Sequence, residues 1–169
     1  MEKFIGFLGA AWLLLFSVSV RSAAPIGTEL VAAGTPYSPG ILAGDTLYVA
    51  GLQGTDPKTH ALPGDFGQEA RNCLENIGRV LNDAHMNYSD VVSVQIFLQD
   101  MSQFQQVNAI YLEYFKTSLP ARTTVQVAKL SAGARIEVSA IARAPSARNR
   151  LSHHHGEENR RPAAPAAPP

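Results

Sequence analysis

The chain has 169 residues, of which 46% are hydrophobic and 17% are charged, so it has enough apolar residues for one globular core. Its 14 basic and 14 acidic residues cancel, yet residues 25–142 hold seven basic and eleven acidic residues, a net charge of −4. Nucleic-acid binding requires clustered Lys and Arg side chains that neutralise phosphates. The acidic balance therefore argues against a nucleic-acid-binding domain.

The N-terminal segment has the pattern of a secretory signal peptide. Residues 4–20 are apolar and uncharged, and the small residues 22–24 follow them. This run is short for a membrane span, so we predict a signal peptide over residues 1–24. Pro25 disfavours a cut directly before it, which leaves cleavage after Ser22 or an uncleaved anchor open. We favour cleavage, and expect a periplasmic or secreted protein without stable membrane association.

The C-terminal segment predicts a disordered tail over residues 144–169. It is rich in Ala, Pro, Arg and Asn and has no apolar periodicity that would offset the entropy of ordering. The run His153–His155 lacks the spacing of a preorganised metal site, so no metal is predicted there. A single domain remains, at residues 25–143.

Two elements begin the predicted domain. Short apolar runs on either side of Gly44 and Asp45 predict a β-hairpin across residues 41–51. Apolar residues then recur at helical spacing and predict an amphipathic helix from Phe66 to Ala84. The only cysteine of the chain falls on the apolar side of this helix, which predicts a small buried side chain rather than a nucleophile. No intrachain disulfide can form, so the core or oligomerisation must stabilise the domain.

Aliphatic residues at every second position predict a strand at 90–100. A second amphipathic helix follows at about 102–116. Strands at 123–128 and 135–142 close the domain, and the pattern allows a short extra strand near 28–31. The order β-β-α-β-α-β-β predicts an α+β domain with helices packed on one face of a mixed sheet.

Two charged residues lie in the last two strands. Arg122 begins a strand of β-branched residues, and Glu137 is the only acid in these strands, on the face opposite Ile136 and Val138. Charges beside apolar surface need a partner. An architectural ion pair between Arg122 and Glu137 is the simplest interpretation, and a bound anion remains the other.

Several segments, in collinear order, resemble the RidA/YjgF family of enamine/imine deaminases across nearly all of residues 25–142. They are "PYSPGI" at 36–41, "LYVAG" at 47–51, "NCLENIGRVL" at 72–81, "DVVSVQIFLQDMSQFQQVNAIYLEYF" at 90–115, "PARTTVQVAKL" at 120–130 and "IEVSAIA" at 136–142. The resemblance implies a chorismate-mutase-like α+β fold and a homotrimer with ligand pockets between subunits.

The resemblance also implies a site and a reaction. Arg122 would grip the carboxylate of a 2-imino acid, and Glu137 would position the water that attacks the C=N carbon. The other pocket-lining positions that match are Tyr37, Gly51, Asn108 and Thr124. No metal or organic cofactor is implied, and the products would be a 2-keto acid and ammonium.

The chain departs from the family pattern beside Gly51. Ala50 stands where members usually have a hydroxyl residue, and Leu52 stands where a glutamine usually follows, while Gln53 lies one place further on. Two other functions stay open. One is a non-catalytic trimer that binds a small carboxylate, or acts as a chaperone, through the same pocket. The other is ribonuclease activity, against which the acidic core argues.

Overall fold

The computed structural model describes residues 23–31 and 34–144. The predicted signal peptide up to residue 22, the tail from residue 145 and the run His153–His155 lie outside the described residues. Within the described ranges, no helix has both the length and the apolar character that a bilayer span requires.

The described chain folds around one six-stranded sheet whose spatial order is β1-β2-β3-β6-β4-β5. The strands are β1 (Ala24–Ile26), β2 (Gly40–Ala43), β3 (Thr46–Gln53), β4 (Val91–Leu98), β5 (Ala121–Gln126) and β6 (Ile136–Arg143). Neighbours pair antiparallel except β4 and β5, which are parallel, so the sheet is mixed. The predicted hairpin is confirmed by β2 and β3, which turn at Gly44 with φ of 66°.

Both helices pack on one face of the sheet, as predicted. They are α1 (Phe66–Asp83) and α2 (Phe104–Tyr114). The Asp65 side chain caps α1 by accepting from the Gln68 N–H at 2.8 Å. Alternate residues of the central strands point towards the helices and form the core with them; in β4 these are Val94, Ile96 and Leu98. We call the other side of the sheet the open face.

Cys73 lies in this core with no exposed surface, and its thiol donates to the Leu52 carbonyl at 3.0 Å. Burial raises the pKa of Cys73 well above its usual value, because the thiolate would be desolvated. The prediction that Cys73 is a small buried side chain is confirmed.

The short strand predicted near residues 28–31 is wrong. Pairing with β2 occurs earlier, at Ala24–Ile26, and residues Thr28–Leu30 form a single 3-10 turn. Gly27 causes the change, because its left-handed φ of 72° ends the extended backbone. The strand before β6 also begins at Ala121, two residues earlier than the sequence pattern indicates.

A buried ion pair that the sequence did not indicate joins α1 to the start of β6. Glu69 is fully buried, and its carboxylate accepts from both the side-chain Nε and the backbone N–H of Arg135, each at 2.6 Å. Arg135 also donates to the carbonyls of Pro63 and Gly64. These contacts hold the residue that directly precedes β6, and they therefore position the start of the strand that carries Glu137.

Candidate active site

A cleft of about 520 Å³ opens on the open face, around the first residues of β6. Its walls include Tyr37, Gly51, Gln53, Ser131 and Glu137. Tyr37 is half exposed, so its ring stands at the rim. Three of the predicted site residues, Tyr37, Gly51 and Glu137, are therefore brought together by the fold.

Glu137 reaches this cleft because of strand alternation. Its neighbours Ile136 and Val138 are buried under the helices, so the side chain between them points to the open face. The cross-strand partners of Glu137 are Phe97 on β4 and Gln53 on β3. A carboxylate is thus placed on a part of the sheet that is open to ligands.

A β-bulge determines which residue of β3 lies opposite Glu137. The pairing of β3 with β6 shifts register between Val49 and Leu52, so β3 carries one more residue than β6 over this stretch. The extra residue turns Leu52 into the core and leaves Gln53 opposite Glu137. An unbroken alternation along β3 would instead have placed Leu52 on the open face.

Gly51 lies in the bulge and makes room for the carboxylate. A Cβ atom at this position would overlap Oε1 of Glu137. The other oxygen, Oε2, accepts from the Gln53 side-chain amide at 3.3 Å, and the same amide nitrogen donates to Ser131 Oγ at 2.6 Å. The carboxylate is thus held between a glycine backbone and an amide.

A second surface surrounds Arg122, which is exposed on the edge strand β5. Its Nη2 donates to Asn108 Oδ1 at 2.8 Å. The guanidinium carbon lies 4.7 Å from the centre of the Tyr111 ring and 5.7 Å from that of Phe104. Aromatic faces and one amide thus orient the fork, and no carboxylate in the described part of the chain forms an ion pair with it.

Two hydroxyl groups are buried on the elements that carry this second surface. Thr124 lies two residues after Arg122, on the same face of β5, and Tyr111 lies on α2. Neither hydroxyl has a hydrogen-bond partner among the described residues. Burial raises the pKa of Tyr111 to about 12, so its hydroxyl stays protonated at neutral pH. Buried hydroxyls without partners are uncommon, and these two lie on the elements that carry the Arg122 surface.

The two surfaces do not meet within one chain. Arg122 pairs with Val94 of β4 and Glu137 with Phe97, three positions further along the same strand. An odd number of positions places the two side chains on opposite faces, and sheet geometry separates their Cα atoms by roughly 14 Å. Within one chain, the interpretation of an Arg122–Glu137 ion pair is therefore wrong. Asn108 and Thr124 lie with Arg122, whereas Tyr37 and Gly51 lie with Glu137.

The groups that hold Glu137 are not evident from the sequence. Gln53 is noticeable there only as a displaced glutamine, and nothing in the pattern singles out Ser131. The same is true of Asn76, whose side-chain amide donates to the carbonyls of Gln53 and Thr55 and anchors the end of β3 to α1. Sequence periodicity does not reveal such contacts, because they depend on the bulge and on a turn distant along the chain.

Residues 27–144 match the Endoribonuclease L-PSP family, so the chain belongs to that family. A Bos taurus protein named 2-iminobutanoate/2-iminopropanoate deaminase is 42% identical over 112 residues, which are 66% of this chain and 82% of the relative. The resemblance to the RidA/YjgF family is thereby supported by a relative that is named for imine deamination.

Solved structures show the same fold. The YjgF gene product of E. coli superimposes with a TM-score of 0.67 at 32% identity, over 72% of this chain and 99% of the other. The structure of E. coli TdcF with bound serine superimposes with a TM-score of 0.68 at 28% identity, again over 72% and 99%. These matches confirm the predicted α+β class with two helices on a mixed sheet.

Proposed function

We propose that this chain is a deaminase that hydrolyses 2-imino acids and their enamine tautomers to 2-keto acids and ammonium. One observation carries the proposal: among the described residues, the fold presents an arginine without a carboxylate partner on one surface and a positioned carboxylate in a cleft on another. These are the two groups that the reaction needs, and the bovine relative is named for this chemistry.

Arg122 supplies orientation. A 2-imino acid has a planar carboxylate next to its electrophilic C=N carbon, and a guanidinium fork binds a carboxylate through two parallel hydrogen bonds. The stacked position of Arg122 against Tyr111 limits the directions in which the fork can point. Binding at this end therefore fixes where the C=N carbon lies.

Glu137 supplies proton transfer. In the first step the water oxygen bonds to the C=N carbon, the π electrons move to nitrogen, and the carboxylate takes the proton of the water. Glu137 returns this proton to nitrogen. Glu137 then takes the hydroxyl proton of the resulting carbinolamine and passes it to the amino nitrogen, so the C=O bond forms, the C–N bond breaks and ammonia leaves. The step needs no electron donor or acceptor, so the proposal includes no metal or organic cofactor.

A complete site on this proposal uses two copies of the chain. A 2-imino acid with a short side chain is much smaller than the separation of roughly 14 Å between Arg122 and Glu137, which also face opposite sides of the sheet. The Arg122 surface of one copy would meet the Glu137 cleft of the next. Head-to-tail contacts form either closed rings or open filaments, and we propose a closed ring of three copies because the family resemblance favours a trimer. Exposed Tyr48, Val92 and Ile141 supply apolar surface for the interface.

The substrate class follows from the relatives. The bovine relative's name specifies 2-iminobutanoate and 2-iminopropanoate, and the TdcF structure holds serine, a small amino acid. We therefore propose a 2-imino acid with a short side chain.

We also propose that the segment at residues 1–24 directs export. Cleavage after Ser22 would leave β1 intact, because this strand begins at Ala24. Sequencing the N-terminus of the exported protein would locate the cut; intact chains confined to the cytosol would contradict export.

The experiment that tests the function measures ammonia release from 2-iminopropanoate, generated in situ by an amino-acid oxidase. We expect the protein to accelerate release over buffer and the variant Arg122→Ala to lose this acceleration. No acceleration, together with a thermal shift by 2-keto acids that Arg122→Ala abolishes, would favour the non-catalytic trimer instead. Cleavage of RNA by nuclease-free protein would favour the activity for which the family is named.

A further inference from the structure

We propose that Gln53 and Ser131 form a positioning pair that holds the Glu137 carboxylate in its reactive orientation. The inference rests on the proposed deaminase function and deepens it. Neither residue reacts; each acts through Glu137. The contacts that carry it join three separate parts of the chain: the end of β3, the 3-10 turn Ser131–Gly133 and the start of β6.

The pair is linked through a single amide nitrogen. Nε2 of Gln53 donates to Ser131 Oγ at 2.6 Å and to Glu137 Oε2 at 3.3 Å. An amide NH₂ has two hydrogens, so both bonds form together. The shorter contact holds the amide in place, and the longer one directs its second N–H at the carboxylate. The carboxylate therefore has a donor whose own direction is set by a third residue.

Each end of this link is fixed by the backbone. Asn76 binds the Gln53 carbonyl at 3.1 Å, which anchors the end of β3. Ser131 begins a tight turn in which Ala132 and Gly133 both have left-handed backbone, with φ of 53° and 77°. Glycine adopts this backbone without strain, whereas Ala132 keeps it only because the surrounding structure holds the turn. A site held by such supports keeps its geometry better than one on a mobile loop.

The bulge decides which side chain next to Gly51 faces the carboxylate. Ala50 has no hydroxyl to offer a water or the carboxylate, and Leu52, the residue directly after Gly51, is buried. The bulge brings Gln53 to the open face instead. With Oε2 bound to the amide, Oε1 beside Gly51 remains the oxygen that accepts a proton from water.

Steady-state kinetics of three variants test the role. Gln53→Met keeps the length of the side chain but removes the amide, and we expect kcat to fall about 10- to 100-fold because a misaligned catalytic group loses rate on this scale. KM should change little, because Arg122 binds the substrate. Ser131→Ala should lower kcat by a smaller factor. Gln68→Met, at an exposed position of α1, is the matched control and should behave as wild type.

A measurement that does not depend on turnover examines the contacts themselves. The side-chain amide ¹⁵N–¹H resonances of Gln53 should shift in Glu137→Gln and in Ser131→Ala, whereas those of Gln68 should not. Unmoved Gln53 resonances would overturn the pair. So would a Gln53→Met enzyme with unchanged kcat, or one with raised KM alone, which would indicate direct substrate contact. An inactive wild type would reject the proposed function and this role together, whereas an active wild type with an unaffected variant rejects only the role.

Discussion

Arg122 and Glu137 lie on opposite faces of one sheet, because their partners on β4, Val94 and Phe97, are three positions apart. The two residues that the motifs single out are therefore separated by the fold itself. Each is held by neutral groups: Arg122 by Asn108, and Glu137 by the Gln53 amide. Both charges are left available to a ligand and to a second copy of the chain.

Mixing two inactive variants tests whether a site is shared between copies. We expect Arg122→Ala and Glu137→Gln each to be inactive alone. When equal amounts are unfolded and refolded together, about a quarter of the shared sites receive an intact Arg122 and an intact Glu137 from neighbouring copies. Activity should return to about that fraction of wild type. No recovery in oligomers shown by mass spectrometry to contain both variants would place each site within one chain.

Replacing Arg122 by lysine separates charge from geometry. Lys keeps the positive charge, but it cannot form two parallel hydrogen bonds or stack through a planar group on Tyr111. We expect Arg122→Lys to lose at least tenfold in kcat/KM, and Arg122→Ala to lose more. Arg79→Ala, an exposed arginine on α1, is the control and should be active. Equal activity of Arg122→Lys and wild type would mean that only the charge matters.

Gly51→Ala should displace the Glu137 carboxylate, because the added Cβ would overlap Oε1. We expect deaminase activity to fall by about tenfold or more, with the fold retained in circular dichroism. Gly64→Ala is the matched control, since a Cβ there meets no atom within 4 Å. Full activity in Gly51→Ala would show that the position of Glu137 observed here is not the reactive one.

Breaking the buried ion pair should destabilise the domain. Glu69→Ala leaves the Nε and the backbone N–H of Arg135 without their acceptor, while the guanidinium keeps its bonds to the Pro63 and Gly64 carbonyls. Because the Arg135 side chain is partly exposed, we expect a loss of about 1–3 kcal/mol in the free energy of unfolding, the cost of leaving buried donors unpaired. Urea unfolding measures this quantity. Glu113→Ala, which removes an exposed ion pair with Arg71, should have little effect. Similar midpoints for the two variants would contradict a stabilising role for Glu69.

Cys73 should resist alkylation while the protein is folded. Burial raises the pKa of its thiol, so at pH 8 almost no thiolate forms, and the side chain has no exposed surface. We expect iodoacetamide to modify Cys73 only in denaturant, as measured by intact mass. The raised pKa favours the neutral thiol, so native labelling should remain slow until the pH is strongly alkaline. Rapid labelling of native protein at pH 8 would show that the core opens.

Local sequence patterns predicted most of the secondary structure. The amphipathic spacing from Phe66 onwards corresponds to α1, and the alternation at 90–100 corresponds to β4. Prediction failed where one residue changed the backbone. Gly27 ended β1 early, and the bulge at Ala50 and Gly51 reversed the faces of the residues that follow.

The sequence by itself determined the fold class and the identity of the charged residues, because periodicity of apolar side chains is local information. It also left open whether Arg122 and Glu137 pair. Only the tertiary structure decided this, since the faces of β5 and β6 depend on their register with β4, which lies between them. The tertiary structure also decided that Gln53 and Ser131 support Glu137. Gln53 lies 78 positions before Ser131 and 84 positions before Glu137 along the chain, so no local pattern connects them.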